Sequence, residues 1–336
     1  MSHNLTHLRC TPQTPLSTSI DDNPSSTMPP HTTTATAQQP SPLSPGTHTF
    51  PTTSTTTTIT YTVQPAKSPI PSSTLIVIHP PSWGIGPQYL MTGLSPLSTH
   101  HTLLTIHPSP TATATGRTPQ TCPLECLRHH LNLPSFPVLL AHSNGSAQTL
   151  LYAQIYPQKV QKLILLNHQL PGYQDRADLS DLRYTSDPRY ASTIEKLASG
   201  TLKPDTDEGF TEWVDTMWPL YFFDPGRWVE VLRGDIGARI MRVREHEAVY
   251  GKGGWLERVG DGVLERLGDV SAETLIISGR GDLICGVGIG ERTRIGIPGA
   301  RLLVYEECGH FPWIEQRERM FKDIGEFVCG GNIAST

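Results

Sequence analysis

Nowhere in the chain does an apolar run approach the ~18–20 residues that span a bilayer, so no membrane partner is expected. An excess of charge is equally missing. A formal net charge of −5 over 336 residues offers nothing to a polyanion, and no nucleic-acid partner is expected. The densest basic group, Arg239, Arg242 and Arg244, is followed at once by Glu245 and Glu247 and reads as a solvated helix face. None of the six cysteines forms a CxxC pair. Cys122 and Cys126 have helical spacing but no His or Cys cluster beside them, so plain thiols are expected, with no metal and no cofactor. Residues Met1 to Pro15 alternate polar positions with isolated leucines and lack a signal-peptide core, which predicts a cytoplasmic protein.

Apolar residues are scarce too, at 37 % of the chain, and the deficit is uneven. Residues 1–55 are crowded with Thr, Ser and Pro, as in Thr32-Thr33-Thr34 and Pro40-Ser41-Pro42. Such a stretch buries too little surface to offset the entropy of ordering, so a disordered leader is expected there. The rest is ample for one open-sheet core.

What is present begins with short apolar runs. Thr57 to Val63 alternates β-branched and aromatic residues and reads as an edge strand. Thr74–Ile78, His101–Ile106, Pro137–Ala141, Leu163–Leu166, Thr274–Ser278 and Arg301–Tyr305 read as strands, the continuous runs among them as strands buried on both faces. Helical spacing occurs over Leu124–Leu131, Gly145–Tyr156 and Gln316–Val328. Strand, helix, strand across 137–166 is a βαβ unit and makes the sheet parallel there. From 171 to 261 no short apolar strand appears. Amphipathic, aromatic-rich segments instead predict a helical cap, inserted between core segments 56–170 and 262–336.

Three strand ends carry reactive groups. Ala141-His142-Ser143-Asn144-Gly145 has small residues two before and two after a serine, as a sharp strand-to-helix turn requires. A helix starting at Asn144 would aim its N–H groups at that hydroxyl and favour an oxyanion. Asp282 follows the strand 274–278, and His310 follows the strand 301–305. Catalytic groups of open parallel sheets gather at that edge. Ser143, Asp282 and His310 are therefore the candidate nucleophile, orienting acid and base.

The segments AHSNGS (141–146), GRGDLICG (279–286) and CGHFPWIEQRER (308–319), with the strand ending at His79, resemble an α/β-hydrolase of the proline iminopeptidase-like group. WVDTMWPLYF (213–222) is similar to cap segments of its fungal members. The resemblance covers nearly all of 57–330. It implies a mostly parallel twisted sheet flanked by helices, an inserted cap, and a triad of Ser143, Asp282 and His310 acting through an acyl-serine intermediate. One departure stands out. The group usually carries His-Gly-Gly-Pro-Gly after the strand that here ends at His79, where a glycine N–H is half of the oxyanion hole. This chain has His79-Pro80-Pro81-Ser82-Trp83-Gly84, and proline has no N–H. With Asn144 as one donor, the second must come from Ser82 or Trp83 in a rebuilt loop, because losing a donor costs about 3–4 kcal/mol.

The expected reaction is cleavage of an ester or amide in a small molecule or short peptide. The altered loop moves weight from an N-terminal peptide residue towards an ester, a lactone or a biosynthetic acyl intermediate. His142, Trp218 and Phe222 are candidates for contact with substrate, although the aromatic residues could equally pack cap onto core. Glu212, Asp215, Glu245 and Glu247 are the cap carboxylates an aminopeptidase could use for a substrate amine. The competing class is a non-hydrolytic protein on the same scaffold: a lyase, an isomerase or a binding protein.

Overall fold

The computed structural model describes residues 41–52, 58–107, 122–176, 186–199 and 206–330. Most of the expected leader, residues 1–40, lies outside that range. Its C-terminal part requires a correction, because Gly46–Pro51 is a strand (β1). It pairs antiparallel with β2, Thr58–Gln64, placing Thr47 opposite Thr62 and Thr49 opposite Thr60. Both hydroxyl pairs are hydrogen-bonded, at 2.9 and 3.1 Å, and the Phe50 ring stacks 3.9 Å from His130. Threonine, poor at filling a core, is favoured on a half-exposed sheet. β2 is therefore the second strand of the sheet rather than its edge.

Among the described residues six further strands complete an eight-stranded sheet: β3 (Leu75–His79), β4 (Thr102–His107), β5 (Phe136–His142), β6 (Val160–Leu166), β7 (Glu273–Gly279) and β8 (Arg301–Tyr305). Their order is β1-β2-β4-β3-β5-β6-β7-β8, antiparallel through β4 and parallel thereafter. Alternation divides each parallel strand between two cores. Ile76, Ile78, Leu140, Ile164 and Ile277 face a cluster shared with the cap aromatics, whereas Val77, Leu139, Leu163 and Ile276 face a second cluster on the other side. Burial on both faces is why these strands are unbroken apolar runs.

Among the described residues the helices are α1 (Gln88–Gly93), α2 (Pro123–His130), α3 (Gly145–Ile155), α4 (Ala191–Ala198), α5 (Asp207–Met217), α6 (Pro225–Ile236), α7 (Val243–Tyr250), α8 (Trp255–Glu265), α9 (Val287–Gly296), α10 (Pro312–Glu315) and α11 (Arg317–Val328). Local chemistry starts two helices between β6 and β7: Thr206 accepts from Gly209 N at 3.0 Å to start α5, and Asp224 with Pro225 starts α6. The expected break at 261/262 falls inside α8, which is continuous because its far end packs on the core, where Gln154 donates to Val263 O at 2.7 Å. The arginine cluster is also corrected. Arg239 and Arg242 precede α7: Arg239 donates to Gly84 O at 2.8 Å and Arg242 pairs with Asp207 at 3.3 Å. Cys122, just before α2, is a buried thiol. No helix among the described residues is long and apolar enough to cross a membrane.

Candidate active site

β5 ends at His142, and the chain turns into α3 through Ser143, whose φ of +52° is left-handed. A side chain is disfavoured there, and such strain persists only where the surroundings fix it. Here Ser143 N donates to Leu166 O at 3.1 Å, and Ser143 O accepts from Ser146 N and Gln169 N, both at 3.1 Å. Gly145 makes the turn possible, because a Cβ there would lie 2.6 Å from both His79 O and Pro80 O. Gly145→Ala is expected to lower the melting temperature by about 5 °C, since overpacking against fixed backbone costs more than alanine's helix propensity returns. Thermal unfolding checks this, and an unchanged midpoint would mean that the loop after β3 does not rest on the turn.

That loop is held by side chains from α3. Ser82 N donates to Asn144 Oδ1 at 3.0 Å, and Gln148 Nε2 donates to Ser82 Oγ at 3.2 Å. Of the two amides expected as oxyanion donors beside Asn144, Ser82's is thus already engaged, which corrects that assignment. The Trp83 and Asn144 N–H groups have no hydrogen-bond partner among the described residues. Asn144 also reaches the cap, where its Nδ2 donates to Tyr250 Oη at 3.0 Å, and Tyr250 donates to Gln169 Oε1 at 3.1 Å.

Asp282 and His310 are directly joined, His310 Nδ1 lying 2.7 Å from Asp282 Oδ2 with both side chains buried. The same oxygen accepts from Asn167 Nδ2 at 2.8 Å, and Oδ1 accepts from Ile284 N and Cys285 N at 2.9 and 3.0 Å. With two main-chain N–H groups and the Asn167 amide donating to the same carboxylate, Asp282 is oriented to accept from His310 as the Nδ1–H tautomer. Among the described residues, Asp282, Cys285 and His310 form a group compact enough for a metal, their ligand atoms lying within 4.8 Å of one another. Asp282 and His310, however, already spend those atoms on each other. Burial and the Asp282 charge push the Cys285 thiol well above its ordinary range.

His142, beside Ser143 in sequence, bridges the two halves. Its Nε2 is 3.1 Å from His310 O, its Nδ1 is 2.8 Å from Tyr89 Oη, and its ring lies 4.6 Å from the His310 ring. Burial and the neighbouring His310 hold its pKa well below the usual histidine range. A neutral ring donating through Nε2–H and accepting at Nδ1 satisfies both bonds. The expected substrate contact is therefore corrected to a support beneath His310. No hydrogen bond joins Ser143 Oγ to His310 among the described residues, a bond that commonly tightens only when substrate is bound.

Trp218 and Phe222, also expected at substrate, are buried. Trp218 packs 6.3 Å from Trp83 and 5.2 Å from Tyr221, while Phe222 packs 5.1 Å from Phe311. They join cap to core. Of the cap carboxylates, Asp215 is paired with Arg233 at 2.6 Å. A cavity of about 340 Å³ is walled by Leu170, Val249, Tyr250, Leu256 and Ile284, with Arg176 also lining it. It meets the Ser143 turn through Gln169 and Tyr250. Asn167, Gln169 and Tyr250 were absent from the sequence expectations; only Asn167, directly after a buried strand, sits where the sheet-edge rule could have found it.

The alpha/beta hydrolase fold family matches residues 122–316. A 2-hydroxy-6-oxononadienedioate/2-hydroxy-6-oxononatrienedioate hydrolase of Klebsiella pneumoniae is 46 % identical over 64 residues, 19 % of this chain and 22 % of that protein. One of the same name from Comamonas testosteroni is 26 % identical over 194 residues, 57 % of this chain and 63 % of that protein. The chain thus spans less than two thirds of either curated relative. The crystal structure of proline iminopeptidase from Mycobacterium smegmatis superposes with a TM-score of 0.59 at 17 % identity, covering 84 % of this chain and 97 % of that one, a likeness of fold.

Proposed function

The chain belongs to the alpha/beta hydrolase fold family, and from that premise we propose that it is a serine hydrolase cleaving an ester or amide through an acyl-serine. The observation that carries the proposal is the strained backbone of Ser143, held one residue from a histidine that underpins the His310–Asp282 pair. In this reading Ser143 Oγ attacks the carbonyl carbon while His310 Nε2 takes its proton. Asp282 keeps the other ring proton on Nδ1. The N–H groups of Asn144 and Trp83 receive the oxyanion, and a hole of that composition answers the loss of donors at Pro80 and Pro81. His310 then returns the proton to the leaving alcohol or amine, and water, deprotonated in turn by His310, releases the acid.

Substrate follows from the walls. The cavity beside the turn, with Leu170, Val249, Leu256 and Ile284 on its wall together with Gln174 and Arg176, suits an acyl or alcohol group that is apolar in part and carries a polar end. An aminopeptidase of the proline iminopeptidase kind is less well served by this cavity, because the two carboxylates that line it, Asp175 and Glu257, accept from Gly288 N and Gly253 N. A second reading has its own support. Arg176 on the wall makes no hydrogen bond or ion pair among the described residues, and could receive the carboxylate of a keto diacid like those in the names of the curated relatives.

A fluorophosphonate probe tests the class and a substrate panel the reading. Label is expected on Ser143, located by peptide mass mapping. Aryl esters should turn over faster than prolyl or other aminoacyl amides, and faster hydrolysis of a 2-hydroxy-6-oxo-dienedioate would favour the second reading. An unlabelled, inactive protein would leave the non-hydrolytic alternative standing.

A further inference from the structure

We propose that Glu315 is the positioning residue for His310, fastening the histidine loop to cap segment 221–224 so that the imidazole is held against the Ser143 turn. Glu315 closes the four-residue helix α10, five positions after His310. Its Oε1 accepts from Phe223 N at 2.9 Å and Asp224 N at 3.1 Å, while Oε2 accepts from Gly309 N at 2.5 Å. One carboxylate thus ties the residue before His310 to two consecutive residues of the cap. His310 N adds a fourth link by donating to Tyr221 O at 2.6 Å. The two backbones approach so closely that a Cβ on Gly309 would collide with Tyr221 O and with Phe222.

Every hydrogen bond found for this carboxylate is to a main-chain N–H, and no ion pair to it is present among the described residues. That distinguishes it from a surface charge. It holds backbone, not another side chain, at the point where cap and core meet. Burial pushes its carboxyl up to about 7 even against three amide donors, so the acceptor is kept there at a cost. The apolar contacts that also seat the cap, Trp218 against Trp83 and Phe222 against Phe311, are ring contacts that do not pass through the carboxylate and persist without it. Loss of Glu315 therefore loosens the histidine loop rather than the fold.

The inference rests on His310 being the base of the proposed hydrolase, and the test separates the two. Full-length Glu315→Gln and Glu315→Ala are compared with the unaltered protein in three measurements: the rate of fluorophosphonate labelling, the thermal midpoint, and hydrogen exchange of peptides covering 219–226 and 305–312. Labelling is expected to slow by about 10- to 100-fold in Glu315→Ala, the scale of a 1 Å misplacement, and by less in Glu315→Gln, which keeps one carbonyl acceptor. Exchange should rise in both peptides together while the midpoint moves little, and kcat for an aryl ester should fall more than KM changes. Labelling at the original rate, slower labelling without faster exchange in the two peptides, or a loss matching only the unfolded fraction would each overturn the inference. Persisting label in Ser143→Ala would instead remove the serine reading, a separate failure.

Discussion

Replacing Ser143 with alanine is expected to reduce turnover by about 10⁶-fold with little change in stability. Alanine keeps the Cβ of serine and changes no backbone group, so the main-chain bonds of residue 143 to Leu166, Ser146 and Gln169 that hold its positive φ remain. Only the attacking oxygen is lost. The residual rate, about 10³–10⁴ over water, would come from the N–H groups and binding surfaces that remain. Because groups that act as a unit are not additive, Ser143→Ala/His310→Ala should be no slower than Ser143→Ala alone. Steady-state kinetics on the best panel ester decide the matter. A mere tenfold loss would mean that another group attacks.

Asp282→Asn should cost about 10⁴-fold in kcat while preserving the fold. The carboxylate receives Ile284 N and Cys285 N on Oδ1, and Asn167 Nδ2 and His310 Nδ1 on Oδ2. An asparagine cannot accept from all four. Its carbonyl takes the two fixed main-chain donors, which turns the NH₂ group towards His310. The imidazole must then accept at Nδ1 and carry its proton on Nε2, where it can no longer deprotonate Ser143. Kinetics measured across pH check this, and a loss below about tenfold would show that the tautomer is fixed by something other than Asp282.

Much of this arrangement was legible along the chain. β3, β5, β6 and β7 appear as unbroken apolar runs because each is covered on both faces, and that demand is written locally. The small residues flanking Ser143 and the strand ends before Asp282 and His310 are local for the same reason. β1 escaped notice because its threonines match a disordered tract in composition. Only the facing hydroxyls of β2 and the His130 ring make them a strand.

Hydrogen-bond partners are another matter. His142 meets the His310 carbonyl 168 positions away, and Asn144 meets Tyr250 106 positions away. No periodicity encodes such pairs, since a side chain's spacing reports which face it occupies and not what the fold brings to that face. The sequence by itself therefore determined strands β2 to β8 and the candidate residues at their ends. Which loop amide is left without an acceptor, which histidine meets Asp282 and which meets the His310 carbonyl, and how the cap is tied to the His310 loop were decided by tertiary structure, because each depends on satisfying buried polar groups from distant segments at once.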